Sequence, residues 1–267
     1  MKLSDAQCAA FDRDGYLFLP GAFSRDEAAL LNDEAHRIFA LDREEVWREK
    51  TGVARTAFAA HTYNDAHGRL GRHPRLIGPV EQLLGGRVYM HQYKNNDKAA
   101  FDGDVWQWHQ DYGTWKADDD MPEPRAMNIA VFLDEVTAAN GPLLFIPQSH
   151  KLGALDAGHD LATTSYPLWT LDRETVTRLA KVGGCVAPTG PAGSMLMFHS
   201  CLVHASPPNI SPFDRTIVYL SLCEVSNHIR RFKRKPWIAH RDFTPIEPLA
   251  DDCLDELVRA RSRQAAE

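Results

Sequence analysis

Pro74-Arg-Leu-Ile-Gly-Pro-Val-Glu-Gln-Leu-Leu-Gly-Gly-Arg-Val-Tyr-Met-His-Gln-Tyr-Lys94 is where the chain changes its periodicity. Residues 74–84 read as a helix, and Gly85-Gly86 stops it, because glycine adopts the left-handed conformation that ends helices. Arg87–Lys94 then reads as a strand. Upstream the pattern is mostly helical. Ser4 and Gln7 form a capping box for a short helix that ends near Gly15, and Ser24 and Glu27 form another. Behind the second, Ala28, Leu31, Ala35, Ile38 and Phe39 predict a helix to about Leu41, and Tyr16-Leu-Phe-Leu-Pro20 is a short strand between the two. Downstream, short strand-like runs dominate: Val105–Tyr112, Met127–Leu133, Leu143–Ile146, Ser194–Phe198, Leu202–His204 and Thr216–Val225. Asp102-Gly103, Asn140-Gly-Pro142 and Gly190-Pro-Ala-Gly193 supply turns between them. Only residues 171–182 interrupt with a helical period. Helices first and many strands after predict a mainly β barrel or jelly roll with flanking helices. The expected layout is one domain over 1–267: helices in 1–86 buttress a core of 87–225, and a segment of 226–267 follows.

Composition narrows the function classes. The 267 residues are 44% hydrophobic and 25% charged, with net charge −6, which suits a globular protein and disfavours a general nucleic-acid binder. No apolar run is long enough for a membrane span, and the first residues lack a secretory signal. Cys8, Cys185, Cys201, Cys223 and Cys253 are scattered without a CxxC, so reduced thiols in a cytoplasmic protein are expected. Oligomeric state leaves no mark in these patterns.

The chemistry concentrates in Trp106-Gln-Trp-His-Gln-Asp-Tyr-Gly113. On a strand, His109 and Asp111 would share a face, so imidazole and carboxylate could meet one ion. Two histidines and one carboxylate leave positions open, as suits a non-haem iron(II) oxygenase. Among twelve histidines an HxD is weak alone. His150, His199 and His204 are candidates for the third ligand. His204 is favoured because Ser206 follows two residues on and Arg215 eleven on. A guanidinium there can grip a carboxylate in a two-pronged pair. Iron beside such a clamp is what 2-oxoglutarate requires, with O2 taking a further position.

With these residues in hand, the chain resembles the phytanoyl-CoA dioxygenase superfamily of Fe(II)/2-oxoglutarate oxygenases. The resemblance rests on Phe11-Asp-Arg-Asp-Gly-Tyr-Leu17, Trp108-His-Gln-Asp111, Asn140-Gly-Pro-Leu-Leu-Phe-Ile-Pro-Gln-Ser-His150, and His204-Ala-Ser206 with Arg215. Within it the chain looks most like small bacterial hydroxylases of free amino acids and their derivatives, of proline- and leucine-hydroxylase or ectoine-hydroxylase type. Val88–Asn96, Gly103–Tyr112, Pro208–Pro212 and Arg241–Pro245 carry that likeness. The strand departs from the usual His-Gln-Phe-Lys-Ile-Asn, reading His91-Gln-Tyr-Lys-Asn-Asn96, so the substrate is where this chain is expected to differ.

The resemblance implies a double-stranded β-helix fold. It implies iron held by His109, Asp111 and His204, with 2-oxoglutarate held by Arg215, Ser206 and Asn96 near Trp106. It implies Gln92 and Trp115 on the substrate, and Lys94 shares the strand face of Gln92 and Asn96. The expected reaction hydroxylates an unactivated C–H bond of an amino acid, releasing succinate and CO2. Halogenation is disfavoured because Asp111 fills the ligand position that halogenating relatives leave vacant. The competing expectations are the same chemistry on a larger natural product or carrier-tethered group, an idle binding barrel, and, more weakly, a zinc hydrolase. Asp118-Asp-Asp120 reads as a solvated acidic turn and Arg230–Lys235 as a solvated basic face. The stretch 152–169 lacks a period, so it reads as a surface loop or as a lid.

Overall fold

A computed structural model describes residues 1–162 and 167–264. The elements run α1 Asp5–Asp14, β1 Tyr16–Leu19, α2 Arg25–Phe39, β2 Val46–Arg48, β3 Ala54–Phe58, α3 Asp65–Leu70, α4 Pro74–Leu84, β4 Val88–Lys98 and β5 Trp106–His109. They continue α5 Asp111–Asp119, β6 Ala126–Phe132, β7 Leu144–Phe145, β8 Gly158–Asp160, β9 Leu168–Thr170, α6 Arg173–Gly183, β10 Met195–His199, β11 His204–Ser206, β12 Arg215–Glu224 and α7 Cys253–Gln264. Both capping boxes form: Ser4 Oγ accepts from Gln7 N, Ser24 Oγ accepts from Glu27 N, and each partner side chain reaches back. Gly15 and Gly85 end their helices at positive φ of 82° and 72°.

A seven-stranded antiparallel sheet, ordered β1-β10-β6-β12-β4-β3-β2, faces a three-stranded sheet ordered β5-β11-β7. This is the cupin-like jelly-roll, or double-stranded β-helix, fold. The stretch 1–86 does more than buttress it, since β1, β2 and β3 are strands of the large sheet. Those three are short, and β2 and β3 lie between helices, so their pairing depends on partners far along the chain.

Alternation along each strand divides the large sheet into two faces. Met195 and Met197, Met127, Ile129 and Val131, and Val218, Leu220 and Leu222 point outward. They pack under Leu31, Ala35 and Ile38 of α2, Leu76, Ile77 and Val80 of α4, and Leu254 of α7. The inner face runs through cross-strand partners: Phe198 beside Asn128, Asn128 beside Ser221, Ser221 beside Gln92, Tyr219 beside Lys94, and Arg215 beside Lys98. Apolar residues therefore anchor the sheet to the helices, and Gln92, Lys94, Asn96, Asn128 and Ser221 face the interior of the roll.

Candidate functional site

His109 ends β5, His204 begins β11, and the two are direct register partners in the small sheet. Their rings lie 4.1 Å apart, as cross-strand neighbours do. Asp111 reaches the same point by a different route from the one its spacing suggests. β5 stops at His109, the backbone turns at Gln110, and Asp111 is the first residue of α5. The shared strand face is thus corrected to a strand end and a helix start. A carboxylate at a helix N-terminus is favoured by the unpaired N–H groups there. Gln110 fixes the turn: its Nε2 donates to Cys201 O at 2.6 Å and Gly153 O at 2.9 Å, and its Oε1 accepts from Leu155 N at 2.8 Å.

His109 Nε2 lies 3.6 Å from Asp111 Oδ1, and His204 Nε2 lies 3.5 Å from Asp111 Oδ2. The ligand atoms all fall within 4.8 Å of one another, a spacing that one ion with bonds of roughly 2.1 Å can span. Among the described residues this is the single group of three or more His, Cys, Asp or Glu side chains so arranged. Each ring has one tautomer imposed on it. His109 Nδ1 contacts Gln107 O at 2.6 Å and His204 Nδ1 contacts Leu202 O at 2.9 Å. A carbonyl can only accept, so both Nδ1 atoms carry the proton and both Nε2 lone pairs face inward. Burial, reinforced by His109, pushes His204 down to about 3, so it is neutral at ordinary pH, as a ligand must be. Burial alone would raise Asp111, but His204, His109 and Lys94 together hold its carboxyl below the usual range.

A cavity opens from these atoms. Gln92, Lys94, Asn96, Trp106, Trp115 and Ser206 all line it. Trp115 Nε1 donates to Gln92 Oε1 at 3.0 Å, and Gln92 Nε2 donates to Ile238 O at 3.0 Å, so the two side chains lock one another in place. Lys94 Nζ sits 5.8 Å from the Tyr219 ring, and burial lowers its pKa while Asp111 raises it. Asn96 Oδ1 accepts from Thr56 Oγ1 at 3.0 Å. The Arg55 guanidinium covers the Trp106 ring at 4.1 Å. Ser206 Oγ donates to Gly141 O at 2.8 Å, so it offers the cavity an acceptor in place of the expected donor.

Arg215 is not among the residues lining that cavity. It is 1% exposed, on the β12 face that also carries Tyr219, whose phenol interacts with the guanidinium. Its Nε and Nη1 have no hydrogen-bond partner among the described residues. Buried guanidinium nitrogens without acceptors are costly, and an anionic ligand group beside Arg215 would relieve that cost. Three neutral or anionic ligand atoms beside an unsatisfied buried arginine fit iron together with 2-oxoglutarate.

His150 and His199 lie elsewhere. Their rings pack on each other at 5.3 Å; His150 contacts Asp12 O, and His199 Nδ1 accepts from Cys201 N. Reading the sequence missed four polar cavity residues, namely Thr114, Asn128, Tyr219 and Arg234. The acidic run was read as solvated, which fails at Asp118 and Asp119, whereas the basic run is exposed except at half-buried Arg234. Asp118 and Asp119 are buried. Asp119 takes Arg234 through both oxygens and touches His91, and Asp118 accepts from Lys233 Nζ at 2.8 Å and Trp169 Nε1 at 3.3 Å. The signal available was their complementarity, an acidic run and a basic run of opposite charge. Within 152–169, β8 pairs with β9 and Leu168 lines the cavity, while Leu171 N bonds to Trp108 O at 2.8 Å. Residues 163–166 of that stretch lie outside the described residues.

Comparison with known proteins agrees with this geometry. A family model described as Phytanoyl-CoA dioxygenase (PhyH) matches residues 11–217. The L-proline trans-4-hydroxylase of Streptomyces griseoviridis is 36% identical over 255 residues, covering 91% of this chain and 95% of the relative. The crystal structure of EctD from S. alaskensis with 2-oxoglutarate and 5-hydroxyectoine superposes with a TM-score of 0.83 at 35% identity, over 92% of this chain and 87% of that one. The same enzyme with bound Fe superposes at 0.81 and 34% identity, over 93% and 87%.

Proposed function

We propose that this chain, which belongs to the phytanoyl-CoA dioxygenase family, hydroxylates an unactivated C–H bond of a free L-amino acid or amino-acid derivative. It is a 2-oxoglutarate-dependent dioxygenase. The observation that carries the site assignment is the pairing of the His109–Asp111–His204 cluster with a buried arginine, two of whose nitrogens lack acceptors among the described residues. In this reading those three residues hold iron(II). Iron there supplies activation of O2, with 2-oxoglutarate giving succinate and CO2 as the substrate is hydroxylated.

The chain's own residues bind, orient and exclude water. Arg215 receives the distal carboxylate of 2-oxoglutarate, with Tyr219, Ser206, Asn96 and Trp106 around the co-substrate. The Nδ1 bonds to Gln107 O and Leu202 O keep both imidazoles aimed at the metal. Arg234, seated on Asp119, presents positive charge to the same cavity and suits a substrate carboxylate. Among the described lining residues Asp111 is the one carboxylate, so a substrate ammonium has no free acid to meet. The Trp115 ring, held by Gln92, is the surface suited to it. Lys94 faces the same space and suits a second acceptor on the substrate. All of this falls within one dioxygenase domain. Five unpaired cysteines fit a cytoplasmic setting.

A second reading keeps the chemistry and tethers the substrate to a carrier. It is favoured by Lys233 and Lys235, whose side chains flank Arg234 and are each 63% exposed. The test is succinate release from reconstituted enzyme with a panel of free amino acids and their carrier-bound forms, followed by mass analysis of the products. The proposal expects stimulation by at least one free amino acid with a gain of one oxygen. Stimulation by tethered forms alone selects the second reading, and no stimulation by any amino acid contradicts the substrate class.

A further inference from the structure

On the inner face of the large sheet, β6 runs Asn128, Ala130, Phe132, and β12 runs Ser221, Tyr219, Ile217. Asn128 and Ser221 are the polar exceptions at the metal end, and both are buried, at 1% and 0% exposure. They are cross-strand partners, and Ser221 Oγ donates to Asn128 Oδ1 at 2.6 Å. Asn128 Nδ2 in turn donates to Asp111 Oδ2 at 2.6 Å. The direction of this chain is fixed by chemistry. A carboxylate can only accept, so the amide nitrogen must face Asp111, and the amide oxygen must then take the serine hydrogen. Burying an amide and a hydroxyl in a sheet is costly unless they are satisfied, and here each satisfies the next. The backbone on both sides is held in the sheet, since Asn128 also pairs with Phe198 of β10.

We propose that Asn128, oriented by Ser221, is a positioning residue that makes Asp111 a one-oxygen ligand. A carboxylate with two free oxygens can chelate an ion through both and occupy an extra coordination position. The short bond from Asn128 engages Oδ2 and draws its electron density away from the metal. Oδ2 lies on the His204 side and Oδ1 on the His109 side, so the bond from Asn128 leaves Oδ1 as the oxygen free to face the ion. The relay thereby helps preserve the open positions that co-substrate and O2 need. This rests on the reading that His109, Asp111 and His204 hold the metal.

Cobalt(II) titration of the metal-free full-length enzyme tests it, because visible absorption reports both affinity and coordination number without turnover. Asn128→Leu is expected to weaken cobalt binding about 10- to 100-fold and to alter the absorption band. Ser221→Ala should shift both in the same direction by less, and Ser221→Thr, which restores the hydroxyl, should return them toward wild type. With iron, kcat should fall in Asn128→Leu while KM for 2-oxoglutarate stays within about twofold. Wild-type affinity and spectrum in both Asn128→Leu and Ser221→Ala would overturn the proposal. Ser221→Ala decides alone if Asn128→Leu does not fold. Asp111→Ala separates the two levels. If it binds cobalt as wild type does, the ligand reading falls and takes this one with it. If it loses cobalt while the relay variants do not, only the relay is wrong.

Discussion

Arg215 is buried, yet two of its guanidinium nitrogens have no acceptor among the described residues, and this imbalance is the strongest pointer to an anionic co-substrate at the level of single residues. Arg215→Ala is expected to raise KM for 2-oxoglutarate by roughly one to two orders of magnitude, corresponding to about 1.5–3 kcal/mol for a charged hydrogen bond. Initial rates against co-substrate concentration measure it. Arg215→Lys should recover only part of the loss, because an ammonium cannot reproduce the planar fork. Arg234→Ala should instead raise KM for the amino acid and leave that for 2-oxoglutarate within about twofold. The residues proposed for metal and co-substrate could be singled out in sequence because that chemistry constrains both type and spacing: HxD, then HxS, then Arg. Arg234 and Asn128 were not. Nothing in a run of six residues with five bases says which one turns inward, and an asparagine in an apolar strand reads the same whether or not a carboxylate waits above it.

Helix α5 gathers several of the site's parts along one rod. Its first residue, Asp111, faces the metal position, and Thr114 and Trp115 line the cavity. Its last turn carries Asp118 and Asp119, which hold the loop through Trp169 and the C-terminal segment through Lys233 and Arg234. Burial pushes Asp119 upward, but His91 and Arg234 outweigh it and hold the carboxyl below its ordinary range. Asp119→Asn is therefore expected to destabilise the protein by about 3–5 kcal/mol, as loss of one partner from a buried ion pair does. It should also raise KM for the substrate, since Arg234 loses its seat. Chemical denaturation and steady-state kinetics on the same preparation check both. This helix was invisible to periodicity. Gly113 and three consecutive aspartates argue locally for a turn, while Arg234, the partner that buries Asp119, lies 115 residues away. The strand reading of residues 105–112 failed for a related reason, because a strand ending at His109 and a helix starting at Asp111 bring the two side chains together as well as a period of two would.

Across the whole molecule the large sheet separates two tasks. Its outer face buries methionine, valine and leucine under α2, α4 and α7, and its inner face carries Gln92, Lys94, Asn96, Asn128 and Ser221 toward the site. Helix ends, most strands and the jelly-roll class followed from capping boxes, glycine stops and runs of β-formers. The membership of β1, β2 and β3 in the large sheet did not, because strand pairing is a long-range property. Burial also sets the response to acid. His61, His67 and His240 cluster around Tyr93, and burial lowers them to about 3, 3 and 4. In the unfolded chain they titrate near the ordinary value of about 6.5. Below that pH the unfolded state binds protons that the folded state refuses, so stability falls as pH drops from 6.5 toward 4. Each histidine contributes up to about 1.4 kcal/mol per pH unit in that window. Melting temperature measured from pH 7.5 to 4.5 should decline across it, and His67→Gln should flatten the decline.

The central claim is that His109, Asp111 and His204 hold the iron on which 2-oxoglutarate turnover depends. It is tested most directly by reconstituting wild type and Asp111→Ala with iron(II) under anaerobic conditions, then measuring bound iron and succinate released on admitting O2 and 2-oxoglutarate. Stoichiometric iron and steady succinate release are expected from wild type, and neither from Asp111→Ala. Wild-type iron content and succinate release in the variant would contradict the account.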